Sequence, residues 1–176
     1  TKSDKDLGDI AAHIPLTNET VMLEIGVGSG KATCFLTGIA QHVDSYDISQ
    51  KNIDLAKKNT SKLGRKNVSF HKTTAEDKQK YKEEKYDAAL IDIPTPEESL
   101  NTVTKSLKVG GIAASYTIHT TQAKNVINQA PENLRHQKTI RVNEEKWKIE
   151  NNASRPKTTQ IVHTGYISFY RKIAKC

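Results

Sequence analysis

Three short stretches of this chain hold residues whose types and spacing could do chemistry. In Leu23-Glu24-Ile25-Gly26-Val27-Gly28-Ser29-Gly30, three glycines alternate directly after an apolar run. Glycine lets the backbone turn sharply and approach a ligand with no Cβ in the way, which is how such loops cradle nucleotides. A mere tight strand-to-helix turn is the alternative. About 20 residues on, Asp47 closes the run Val43-Asp44-Ser45-Tyr46-Asp47-Ile48, the place for a carboxylate that accepts hydrogen bonds from both hydroxyls of a ribose. The alternative there is a solvated aspartate at a strand end. Asp92-Ile93-Pro94 ends a third apolar run. Asp92 would face the reacting group if the run is a strand of an open sheet, or cap the helix that starts at Pro96.

The elements that must position these residues follow from the hydrophobic periods. Residues 4 to 14 show Leu7, Ile10, Ala11 and Ile14 at helical spacing, stopped by Pro15. Val21 to Ile25 reads as a buried strand and Lys31 to His42 as a helix burying Cys34, Phe35 and Ile39. Val43 to Ile48 is the next strand, and Gln50 to Leu63 a helix closed by Gly64. Strands follow at Val68 to Thr73 and Tyr86 to Ile93, then a helix from Pro96 to Lys108 ended by Gly110-Gly111. Ile112 to Ile118 and Thr120 to Gln129 complete the alternation as strand and helix. Strands alternating with helices at short spacing predict an α/β, Rossmann-like, doubly wound and mainly parallel sheet. After Lys138 the pattern changes. Lys138 to Asn143 and Tyr166 to Arg171 read as strands with no helix between them, an antiparallel C-terminal hairpin at the sheet edge. The polar segment Asn151 to Thr159 lies between them.

Composition narrows the classes. The 176 residues suffice for one domain with a core, and the start at Thr1 rather than Met suggests a fragment or a trimmed chain. No apolar stretch approaches the ~20 residues of a membrane helix, and the polar start does not read as a signal peptide. Two cysteines, Cys34 and Cys176, cannot build a disulfide framework, which fits a cytoplasmic setting. The six histidines are scattered, so no metal site is expected. The net charge of +7 lies wholly in residues 120 to 176, where eleven Lys and Arg face four Asp and Glu. The preceding residues balance at sixteen each. Such asymmetry suggests a polyanion contact on one side, or else a solvated lysine-rich surface.

The tight G-x-G-x-G spacing with Glu24 before it resembles the first motif of class I methyltransferases. Over about Asp4 to Lys172 the chain resembles the tRNA (adenine-N1)-methyltransferase family, which modifies adenine 58 of the T-loop. The carriers are the glycine loop, Ser45-Tyr46-Asp47-Ile48, Ile91-Asp92-Ile93-Pro94 and Ser115-Tyr116-Thr117. The most telling is the tail of Trp147, Arg155-Pro156 and His163-Thr164-Gly165-Tyr166. The resemblance implies the class I methyltransferase fold, S-adenosylmethionine as cofactor and tRNA as partner. It implies Asp92 as the catalytic carboxylate, and cofactor contacts at Gly26, Gly28, Ser29, Gly30, Asp47, Asn52, Thr74, Ala75 and Asp92. It also implies a homo-oligomer, a tetramer by family likeness.

Adenine N1 is a neutral nucleophile, so its methylation needs no prior deprotonation. It does create positive charge, which a carboxylate accepting a hydrogen bond from N6 would stabilise. The target base must leave its stack first, and Tyr116, His163 or Tyr166 could receive it while Arg155 and its basic neighbours hold phosphates. Each of these has a structural alternative: packing for the tyrosines, a turn for His163, an ion pair for Arg155. Two departures from the family stand out. Thr74 occupies the position of an acidic residue that holds the adenine amino group, a role open to Glu76 or Asp77. The family's small N-terminal β domain is not found in these residues, so either the chain is a fragment or its substrate mode differs; residues 1 to 176 read as one catalytic domain. Two other readings are a corrin-precursor methyltransferase, which leaves the tail unexplained, and a non-catalytic RNA-binding subunit. The second has no need of the glycines and aspartates that are present.

Overall fold

In the computed structural model, residues 3–174 are described except 76, 78–80, 151–152 and 160–162. Thr1, Glu76 and Cys176 therefore lie outside the described residues. β1 (Val21–Ile25) and β4 (Tyr86–Ile91) are buried along nearly their whole length, as strands covered on both faces must be. With β2 (His42–Asp47), β3 (Val68–Lys72) and β5 (Leu107–Thr117) they form the parallel part of one seven-stranded sheet. β6 (Leu134–Ile140) and β9 (Tyr166–Lys172) complete it in the order β3-β2-β1-β4-β5-β9-β6. β9 runs antiparallel to both its neighbours. The expected late strands thus do pair at the sheet edge.

The strand order reverses at β1, which lies between β2 and β4. A crevice opens beyond the carboxyl ends of strands at such a point. One apolar cluster joins Leu7 and Ile10 of α1 (Asp4–His13), Leu36 of α2 (Lys31–Leu36) and Phe169 of β9. The other joins Tyr46 and Tyr86 to Leu100 and Val103 of α4 (Leu100–Ser106) and Val126 of α5 (Thr120–Asn128). α3 (Gln50–Lys62) turns Ile53 and Ala56 inward and ends with Gly64 at φ +66°, the left-handed stop expected of it. Among the described residues no helix is long and apolar enough to cross a membrane, and no cluster of His, Cys, Asp or Glu could hold a metal ion.

Several local expectations are corrected. α2 ends at Leu36, six residues before His42, and buries Ala32, Thr33 and Leu36, whereas Cys34 and Phe35 are half-buried and Ile39 is exposed. Thr37 and Gly38 turn the chain there, and a Cβ on Gly38 would lie 3.0 Å from both the Phe35 carbonyl and the Arg65 guanidinium. The helix expected from Pro96 to Lys108 is instead a 3-10 turn, Pro96–Ser99, followed by α4, and Leu107 already belongs to β5. Gly110, at φ +87°, and Gly111 form an irregularity inside that strand: Tyr86 pairs with Leu107, but Ala88 pairs with Ile112.

β6 starts four residues before Lys138 and stops at Ile140, because as an edge strand it buries only Leu134 fully and shows little alternation. Within the polar segment, β7 (Trp147–Glu150) and β8 (Ala153–Pro156) form a separate antiparallel ribbon. β7 is exposed on both faces, so no hydrophobic period marks it.

Candidate active site

The glycine loop is shaped by what touches it. Gly26 has φ +94°, donates its N–H to the Tyr46 carbonyl at 2.8 Å, and presses so closely on β4 that a Cβ would lie 2.1 Å from the Asp92 carbonyl oxygen. The Asp92 N–H in turn donates to the Ile25 carbonyl at 2.8 Å. The ends of β1, β2 and β4 are thereby laced together. Gly28 has φ +53°, and a Cβ there would meet nothing within 4 Å, so the loop presents bare backbone to open space. Gly30, at φ +79°, is different: a Cβ would lie 2.7 Å from Ala56, so this glycine lets α3 pack against the loop. Beneath the loop, Glu24 is fully buried and accepts hydrogen bonds from the hydroxyls of Thr33 at 2.7 Å and Ser45 at 2.6 Å.

Asp47 faces the same loop. Its Oδ2 accepts the N–H groups of Val27 at 3.0 Å and Gly28 at 3.1 Å. Its Oδ1 accepts the Ser49 N–H at 2.8 Å, and the Asn52 amide reaches both oxygens at 3.3 Å. A carboxylate accepting this many donors is fixed in orientation.

A cavity of about 590 Å³ opens here, at the reversal of strand order. Gly26, Gly28, Asp47, Asn52, Thr74, Ala75 and Asp92 all line it, so seven of the expected cofactor residues come together. Ser29 and Gly30 do not line it; Ser29 is exposed and its carbonyl accepts the Asn59 amide at 2.9 Å. Tyr46, Ile48, Ile93, Pro94 and Glu98 also line the cavity and went unnoticed in the sequence as lining residues. Three of them flank Asp47 or Asp92 directly and Pro94 is two residues from Asp92, so proximity in the chain could have found them. Glu98 carried no such signal.

The wall beyond Asp47 is built in two layers. Tyr46 stacks between His71 and Tyr81, with ring centroids 4.5 and 4.3 Å away. The Tyr81 hydroxyl donates to the Thr74 carbonyl at 3.1 Å, and Thr102 donates to the Ala75 carbonyl at 2.9 Å. Burial, with the nearby Tyr46 and Asp77, pushes the Tyr81 phenol upward, so it stays a donor. Asp77 accepts the Thr73 hydroxyl at 3.2 Å.

Asp92 stands at the end of β4 on the cavity and is half-buried. The following 3-10 turn has Thr95 at its N-cap, so Asp92 does not hold the capping position. Tyr116 is buried rather than presented to a base. Burial first, then the Asp6 and Asp92 charges, push its phenol up to about 12. The tail explains why: Gly165 lies under the Tyr116 ring, where a Cβ would come within 2.5 Å of Cζ. The Thr164 hydroxyl donates to the buried Asp6 carboxylate at 3.0 Å. His163 is exposed, tilts against Tyr166 at 5.3 Å, and its Nε2 lies 3.0 Å from the Ile118 carbonyl. Arg155 is exposed on the β7-β8 ribbon opposite Lys148, and no described contact brings it to the cavity.

Residues 16–163 match the family described as a methyltransferase domain. A tRNA (adenine(57)-N(1)/adenine(58)-N(1))-methyltransferase TrmI of Methanocaldococcus jannaschii is 26% identical over 95% of this chain and 70% of its own length. The crystal structure of tRNA (m1A58) methyltransferase TrmI from Aquifex aeolicus superposes with a TM-score of 0.92 at 26% identity, covering 99% of this chain and 71% of that one. A precorrin-6y C5,15-methyltransferase from Geobacter metallireducens shares the fold, with a TM-score of 0.81 at 15% identity over 98% of this chain and 91% of that one.

Proposed function

The chain belongs to the methyltransferase-domain family, and from that premise we propose that it transfers a methyl group to N1 of adenine 58 in the T-loop of tRNA. The observation that carries this reading is the convergence of Asp47, the bare backbone at Gly28 and Asp92 on one cavity. The names of the two relatives at 26% identity support the choice of acceptor.

The cofactor is S-adenosylmethionine, and the residues present fit it. The unobstructed backbone at Gly28 leaves room beside the loop, while Asp47 and Asn52 offer polar atoms to a ribose diol. Ile48, Ile93 and Ala75 offer apolar surface to a purine, and Glu98 offers a carboxylate to a cationic group. When bound, S-adenosylmethionine supplies an electrophilic methyl group on a positively charged sulfur.

The residues of the chain then do three things. Asp47 holds the glycine loop through Val27 and Gly28 while orienting its own carboxylate toward the cavity. Thr74 supplies a neutral edge where relatives of the resembled family carry an acid; Asp77 is tied to Thr73. Asp92 accepts a hydrogen bond from the exocyclic amine of the adenine. It thereby orients the base and stabilises the positive charge that develops as N1 takes the methyl group, an effect commonly worth a few kcal/mol. Tyr116 is buried and is not one of the residues lining the cavity, and its raised phenol remains protonated across the working range.

Nucleoside mass spectrometry of tRNA incubated with the protein and S-adenosylmethionine tests the proposal. It predicts 1-methyladenosine in the T-loop; methylation of a tetrapyrrole and of no RNA would replace it with the corrin-precursor reading. Tetrameric assembly and a cytoplasmic setting are part of the same proposal, and mass photometry of the purified chain checks the former.

A further inference from the structure

We propose that Gln122 is a positioning residue that fixes the Asp92 loop at the acceptor side of the cavity. For its activity arm this inference rests on the methyl-transfer reading above. The Gln122 Nε2 donates to the Pro94 carbonyl at 2.6 Å, and its Oε1 accepts the Ile118 N–H at 3.1 Å. One planar amide thus ties the segment after β4 to the segment after β5. Pro94 is two residues from Asp92 and lines the cavity. The Ile118 carbonyl meets His163 Nε2 at 3.0 Å, so the tail joins the same chain of contacts. One turn further along α5, the Asn125 amide donates to Glu97 Oε1 at 3.0 Å, holding the same loop at a second point.

The chemistry gives this arrangement its purpose. Methyl transfer needs the acceptor nitrogen, the methyl carbon and the leaving sulfur in line, and small displacements are expensive in rate. The backbone after Asp92 has few ways to hold its own position, since Pro94 and Pro96 carry no N–H. Gln122 supplies a donor to one loop and an acceptor to the other from a side chain rooted in a helix. Glutamate has the same length and keeps the acceptor for Ile118, but it presents a carboxylate oxygen to the Pro94 carbonyl and cannot donate to it.

The test compares wild type with Gln122→Ala and Gln122→Glu in three readouts: S-adenosylmethionine affinity by calorimetry, single-turnover methylation of bulk tRNA, and amide hydrogen exchange at Asp92 and Glu98, whose N–H groups are hydrogen-bonded at the two ends of the loop. The expected result for both variants is a cofactor affinity within about twofold of wild type, a methyl-transfer rate lower by about fivefold or more, and faster exchange in the loop. Wild-type rate and exchange in Gln122→Glu would overturn the proposal, as would cofactor affinity falling in step with rate. If the wild-type protein methylates no RNA, the adenine reading fails, and the exchange comparison still decides the role of Gln122. Unchanged exchange then refutes it.

Discussion

Gly26 and Asp92 are in backbone contact: a Cβ on Gly26 would lie 2.1 Å from the carbonyl oxygen of Asp92. The glycine loop and the segment that carries Asp92 are therefore one mechanical unit, and Gly26 is needed for that contact. Gly26→Ala must push β1 and β4 apart as well as adopt φ +94° with a side chain. The expected outcome is a loss of about 2 kcal/mol or more in thermal or denaturant unfolding, together with cofactor binding too weak to detect by calorimetry. Wild-type stability with wild-type affinity would show that the contact relaxes without consequence.

Asp47 serves the loop before it serves a ligand, since Val27 and Gly28 donate to its Oδ2. An asparagine in its place could keep one acceptor atom but neither the charge nor the second acceptor. Hydrogen bonds to a charged group are worth about 1.5–3 kcal/mol, so Asp47→Asn should weaken S-adenosylmethionine binding roughly tenfold or more. Calorimetry measures this directly, and an affinity within twofold of wild type would remove Asp47 from the cofactor site.

Gly165 underlies Tyr116 so closely that a Cβ would meet Cζ at 2.5 Å and the Thr117 carbonyl at 2.6 Å. Gly165→Ala should destabilise the fold by about 1–3 kcal/mol, the usual consequence of overpacking. It should also shift Tyr116, visible in the near-ultraviolet circular dichroism. An unchanged melting temperature would mean that the tail of His163-Thr164-Gly165 packs differently.

Asp44 makes the fold sensitive to acid. Burial alone would raise its carboxyl, but hydrogen bonds from Lys85 and Tyr86, the Lys85 charge and a contact with His71 outweigh that and hold it below its ordinary value of 3.8. His42 also reaches its Oδ1 at 3.3 Å. A carboxyl lowered by folding stabilises the protein above its unfolded value, and that contribution disappears as pH falls through the folded value. Asp44→Asn should therefore be less stable by about 2 kcal/mol at neutral pH, below the range for a fully buried pair because Lys85 keeps some contact with solvent. The gap should close on acidification below 3.8. A gap independent of pH would contradict this assignment.

The central sheet was legible because its strands are buried on both faces and therefore stand out as short apolar runs, as at Val21–Ile25 and Tyr86–Ile91. The cavity was legible for the same reason: Asp47 and Asp92 terminate such runs, and strand ends at the reversal of order must meet. What lay hidden had no apolar period to reveal it. The β7-β8 ribbon is exposed, and β6 is a polar edge strand. Gly110-Gly111 looks like a helix stop in sequence and proves to be an irregularity within β5. The division of labour among the glycines was also hidden, since only the approach of Ala56 distinguishes Gly30 from Gly28. Likewise, nothing in the composition of the tail says that Thr164 reaches Asp6, 158 residues away in the chain.

Asp92 is the residue on which the functional account turns, so the most direct measurement sets Asp92→Ala beside wild type. Each would be incubated with S-adenosylmethionine and tRNA, and the nucleosides mapped by mass spectrometry after fragmentation. Wild type is predicted to form 1-methyladenosine at adenine 58 and Asp92→Ala to form at least about a hundredfold less, with cofactor affinity by calorimetry largely kept. Methylation at another nucleoside, or undiminished 1-methyladenosine from Asp92→Ala, would contradict the account.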